Sequence, residues 1–101
     1  AADTSIPVAI RDMAKLRAAF LLVDNGSYAD VANRAESLAA DTNPLRFSAR
    51  EAMALSAWKE GKAADALKLY EQITADQNAP RNSRERATMM AELIRGSGDA
   101  S

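Results

Sequence analysis

Cysteine and histidine are both absent from this chain of 101 residues. Without cysteine there is no disulfide, no thiolate nucleophile and no cysteine-ligated zinc. The absence does not fix the redox compartment. Without histidine the commonest metal ligand and general base is missing. Aromatic residues are scarce at 5%, with one Trp, two Tyr and two Phe, so few bulky knobs are available to a core. Neither sign of charge dominates: 13 basic and 14 acidic residues leave a formal charge of −1. That balance argues against binding nucleic acid by phosphate neutralisation, which needs a basic excess. No apolar run approaches the roughly 18 residues of a membrane-spanning helix. The densest, AAFLLV at 18–23, is bracketed by Arg17 and Asp24. The opening AADTSIP lacks the basic and apolar regions of a signal peptide and reads as the cut edge of a longer protein.

What is present is alanine, a large part of the 48% apolar fraction. Alanine favours helices and lets them pack closely. Five helices can be read from periodicity and punctuation. The first covers about 7–24, with Ser5 as N-cap, Pro7 in the first turn, and an apolar stripe of Met13, Leu16, Phe20 and Val23. Asn25-Gly26 ends it, since both residues tolerate a left-handed C-cap. The second covers about 28–40, opened by a capping box of Ser27 and Asp30 and carrying Val31, Ala35 and Leu38. The third covers about 44–60, with Asn43 as cap, Pro44 at the first helical position, and Gly61 after it. The fourth covers about 63–75, with Leu67, Tyr70 and Ile73 inward. The fifth covers about 80–95 and closes at Gly96. No stretch alternates as a strand does. The expected architecture is therefore all-α, a single domain over 1–96, with a disordered tail at 97–101.

A repeat underlies these elements. Gly26, Gly61 and Gly96 stand 35 residues apart, as do Asp41 and Asp76, Asn43 and Asn78, Asp30 and Asp65, Glu36 and Glu71, Leu38 and Ile73, and Ala52 and Ala87. Pro44 maps to Pro80 with a slip of one residue. A fixed period of this length marks helix pairs that stack because no pair buries its apolar stripe alone.

The phrase WKEGKAADALKLYEQI, 58–73, resembles the tetratricopeptide pattern: an aromatic in the first helix, Gly61 at the turn, small Ala66, aromatic Tyr70, then apolar Ile73. DNGSYADVANRAESL, 24–38, is a second copy with Gly26, Tyr28, Val31, Ala35 and Leu38. The first-helix Trp-Leu-Gly and Tyr positions of that family are not reproduced. RDMAKLRAAFLLVDNGSYADVANR together with PLRFSAREAMALSAWKEGKAADALKLYEQI resembles, over about 7–95, the C-terminal part of the tetratricopeptide-like domain of YfgM-type proteins. These are ancillary Sec translocon subunits with one membrane anchor and a periplasmic helical domain. The resemblance implies a right-handed α-solenoid fragment, two helix pairs plus a terminal capping helix. It also implies a bacterial periplasmic setting, attachment to the inner membrane through an anchor outside this sequence, and partners among translocon components or envelope chaperones.

The search for chemistry is short. Glu36, Asp41, Glu51, Glu60, Asp65 and Glu71 are scattered over polar helix faces and turns, where solvated and helix-end charge is the simplest reading. No Gly-rich phosphate loop exists. The run Arg81-Asn82-Ser83-Arg84-Glu85-Arg86 is interrupted by Glu85 and lacks interleaved aromatics, so it reads as a solvated face. Lys59 and Lys62 read as end charges flanking Gly61. No enzyme, cofactor, metal or nucleic-acid partner is expected.

Tetratricopeptide stacks line their concave face with the first helix of each pair. Carried onto this sequence, that face holds Leu16, Phe20 and Val23, then Leu55 and Trp58, then Met90 and Leu93. The clamping Asn and Lys residues of chaperone-tail binders are missing, so the resemblance implies an apolar partner groove rather than a carboxylate clamp. Two alternatives stay open. These side chains serve the core, or the chain is a self-association domain using Met89, Met90 and Ile94 of the last helix.

Overall fold

The computed structural model describes residues 7–97, and among these every regular element is helical. The elements are α1 (Val8–Asn25), α2 (Tyr28–Ala35) running into a 3-10 turn (Glu36–Ala39), α3 (Arg46–Lys59), α4 (Ala63–Ala75) and α5 (Arg81–Gly96). The expected Ser5 cap and nearly all of the expected tail lie outside the described residues. Ser97 itself closes α5: its N–H donates to the carbonyls of Leu93 and Ile94.

Local chemistry sets the boundaries. Pro7 sits at the N-cap of α1, and its carbonyl accepts from Ile10 and Arg11. The Ser27–Asp30 capping box is complete: Ser27 Oγ accepts from Asp30 N–H and Asp30 Oδ2 accepts from Ser27 N–H, both at 3.2 Å. Two expectations need correction. Gly26 is extended (φ −121°), not left-handed. Its value there is room, since an added Cβ would come within 3.1 Å of both Asp30 Oδ2 and Leu22 Cδ2. And α3 begins at Arg46, not at Pro44. Asn43 to Arg46 form a turn closed by Arg46 N–H on the Asn43 carbonyl, while Asn43 Oδ1 takes the Leu45 N–H at 2.8 Å. Proline fits the second position of such a turn. Gly61 does adopt the left-handed conformation (φ +79°) that the α3–α4 joint requires.

Each helix packs on the next, α1 also lies against α3, and α3 touches α5. The result is a slab of 52 × 30 × 17 Å. Its core is split in two. One half joins Leu16, Ala19 and Val23 of α1 to Val31, Ala35 and Leu38 and to Ala49, Ala52 and Met53 of α3. The other joins Ala54 and Ala57 to Ala63, Ala66, Tyr70 and Ile73 of α4 and Ala87, Ala91 and Ile94 of α5. Tyr28 and Leu69 pack against both halves. Helix α3, buried on both sides, separates the two with alanines, as expected where helices approach closely.

Candidate partner-binding groove

Phe20, Leu55 and Met90 stand 35 residues apart on α1, α3 and α5, and the structure brings them around one small apolar cavity of about 210 Å³. Tyr70, Met89, Glu51 and Arg86 complete its lining. Phe20 keeps 40% of its surface exposed and Met89 65%, while Leu55 and Met90 are half-buried. Tyr70 is the buried floor, and burial first, then the charge of Glu51, pushes its phenol up to about 12. One rim is a bidentate ion pair: Arg86 Nε to Glu51 Oε2 at 3.0 Å and Arg86 Nη2 to Glu51 Oε1 at 2.8 Å. The hydrogen bond to Glu51 raises the Arg86 pKa further above its ordinary value. This geometry fixes the guanidinium beside the cavity.

The remaining expected residues divide. Leu16 and Val23 are buried in the α1–α2–α3 core and are not part of an open groove. Trp58 is half-buried against the α3–α4–α5 core and does not line the cavity. Leu93 is exposed on α5, outside the cavity. Ile94 is completely buried, so the self-association surface expected from Met89, Met90 and Ile94 does not exist as one face. Helical geometry explains the split: Ile94 shares its face with Ala87 and Ala91, which pack on α4, whereas Met89 lies on another.

A polar constellation escaped the sequence reading. Arg46 and Arg50, both buried on α3, converge on Asp76 at the end of α4. Arg46 Nε meets Asp76 Oδ2 at 2.8 Å, and Arg50 Nη1 reaches the same oxygen at 3.4 Å. Arg50 Nη2 also donates to the Ala39 carbonyl at 3.0 Å and to Asp41 at 2.7 Å. The Arg46 bond and the Asn78 N–H hold the Asp76 carboxyl down at about 2. The available signal was the recurrence of Asp41 and Asp76 after successive helix pairs. A depression of about 580 Å³ opens over this network, but its charges are already matched. A larger one of about 670 Å³ is lined by α5 alone and is an open helix face.

The joint residues also have partners. Lys59 Nζ pairs with Asp24 at 2.9 Å, Glu60 accepts the Tyr28 N–H, and Lys62 lies 5.1 Å over the Tyr28 ring. The α3–α4 joint is thereby held on the α1–α2 joint. Among the described residues no group of three or more acidic side chains is arranged to hold a metal ion, and no helix is long and apolar enough to cross a membrane. Comparison with protein-family models, with curated proteins and with solved structures gives no match.

Proposed function

We propose that this chain is a non-catalytic protein–protein interaction module whose α1–α3–α5 groove takes a bulky apolar side chain from a partner segment. The observation that carries the reading is the convergence of Phe20, Leu55 and Met90, from three separate helices, on one partly open apolar cavity. A volume of this size suits one Leu or Phe side chain, and adaptable methionines suit a surface that accepts varied partners. The Glu51–Arg86 pair on the rim offers polar contacts to the partner backbone.

Reading the five helices as a tetratricopeptide-like stack with α5 as terminal helix belongs to the same proposal. Supporting it, the ion pairs Asp24–Lys59 and Glu51–Arg86 each join residues 35 apart on successive first helices. The setting proposed with it is the periplasmic domain of a membrane-anchored, translocon-associated protein, supported by the YfgM-type resemblance of 7–95. Apolar segments of chains in export would be suitable occupants there.

Calorimetric titration with short peptides bearing a single Leu or Phe in a polar background tests the groove. Saturable binding that Met89→Glu and Met90→Glu abolish, and that Leu21→Glu leaves intact, is the expected result. Binding unaffected by both methionine variants, or no binding at millimolar peptide, would rule the groove out.

A further inference from the structure

The apolar cavity has one charged wall. Of the residues that line it, only Glu51 and Arg86 carry charge, and the two are unequally placed. The Glu51 side chain is 17% exposed and that of Arg86 55%. Both Glu51 oxygens are taken by Arg86, Oε2 by Nε and Oε1 by Nη2. Nη2 also reaches Ser83 Oγ at 3.4 Å. Among the described residues nothing accepts a hydrogen bond from Nη1. The pair therefore turns its cation outward and keeps its carboxylate inward.

Helix α5 extends the same flank. Arg86, Met89, Met90 and Leu93 fall at i, i+3, i+4 and i+7, and Arg86 is the one charged residue at these positions. Glu85 and Glu92 belong to the neighbouring outward face, which they share with Arg81 and Arg84. At the other end of the apolar row, one turn beyond Phe20 and Leu55, Asp24 and Lys59 neutralise each other at 2.9 Å. The charge that a partner seated in the cavity meets at its wall is thus the guanidinium of Arg86.

We propose, on the reading of the groove as a partner site, that it selects segments in which an Asp or Glu side chain stands one or two residues from the bulky apolar one, and that Arg86 is the residue that recognises the carboxylate. Glu51 already holds the guanidinium in place, so little side-chain freedom is lost when Nη1 donates to a partner. The bond it makes is charge-assisted. A partner cation at the same place meets Arg86 before it meets Glu51, and is repelled. A side-chain carboxylate fits better than a chain terminus, because termini are captured by several converging donors, whereas one nitrogen is unengaged here.

Calorimetric titration tests this with capped peptides that differ at one residue, Glu, Gln or Lys, two positions from a single Leu. The Glu peptide is expected to bind about two- to fivefold more tightly than the Gln peptide, with the Lys peptide no tighter than Gln. The advantage of Glu should shrink as salt is raised. Arg86→Gln leaves Glu51 unpaired and should reverse the order of the Glu and Lys peptides, an outcome that loss of fold does not produce. Glu51→Gln frees Nε and Nη2 and should keep or enlarge the preference for Glu. Equal affinities for the Glu and Gln peptides, both abolished by Met90→Glu, would overturn the carboxylate preference while keeping the groove. No binding by any peptide would overturn both. Tighter binding by an uncapped peptide ending in Leu would also overturn the proposal, assigning Arg86 to a chain terminus instead.

Discussion

Asp76 joins two buried arginines of α3 to the end of α4, and the consequence is a defined pH dependence. Its folded carboxyl titrates at about 2, below the ordinary value of 3.8. The unfolded chain therefore binds this proton more readily, and the stabilisation is complete above about pH 4. It is lost as pH falls through the interval down to 2. Asp76→Asn should lower the urea midpoint at neutral pH and flatten the decline between pH 4 and 2. An unchanged acid limb would mean that Asp76 does not carry it. Trp58 belongs to the same scale. Because it packs on the α3–α4–α5 core outside the groove, Trp58→Ala should cost about 2–4 kcal/mol in urea unfolding while peptide affinity per folded molecule stays the same. The role of Asp76 was not legible in the sequence, and that of Trp58 was legible only as one of two open readings, core or groove. Periodicity says that a residue points inward, but the choice between core and groove depends on which neighbouring helix it meets. A buried arginine looks like a surface one until its carboxylate partner, 30 residues away, is placed beside it.

The helices were the most legible part, because caps and turns act locally. Ser27, Asp30 and Gly61 each do what their chemistry dictates in place. The misses are equally physical. A residue after a turn-forming proline can continue the turn rather than start a helix, so α3 begins at Arg46. A glycine can be needed for space rather than for positive φ, as at Gly26. The glycines thus make separable predictions. Gly61→Ala places a side chain at φ +79° with open space around it, so the cost is backbone strain alone, about 1 kcal/mol. Gly96, inside the last turn of α5, also meets nothing within 4 Å, and Gly96→Ala should instead stabilise by up to about 0.5–1 kcal/mol. Thermal unfolding of the two variants should move in opposite directions. Movement in the same direction would contradict the assigned conformations.

For the whole molecule, the 35-residue period was the signal that reached furthest. It anticipated helices of one class lying side by side. The ion pairs Asp24–Lys59 and Glu51–Arg86, and the gathering of Phe20, Leu55 and Met90, all follow that spacing. The period does not fix burial position by position, because burial depends on which helix lies beside a residue. Ile94 illustrates this: its repeat mate Lys59 is exposed, yet Ile94 is fully buried against α4. The slab carries one partly open apolar cavity across three helices, and α1 also exposes Val8, Ile10, Met13 and Leu21.

The four methionines report on these regions separately. Met53 lies in the core, Met13 is exposed on α1, and Met89 and Met90 are at the groove. The most direct test of the groove is a titration of the methyl-labelled chain with a single-leucine peptide, read by the methionine methyl resonances. Saturable shifts of Met89 and Met90, with Met53 and Met13 unmoved, are the expected result. Shifts confined to Met13, or none at millimolar peptide, would contradict binding at the groove.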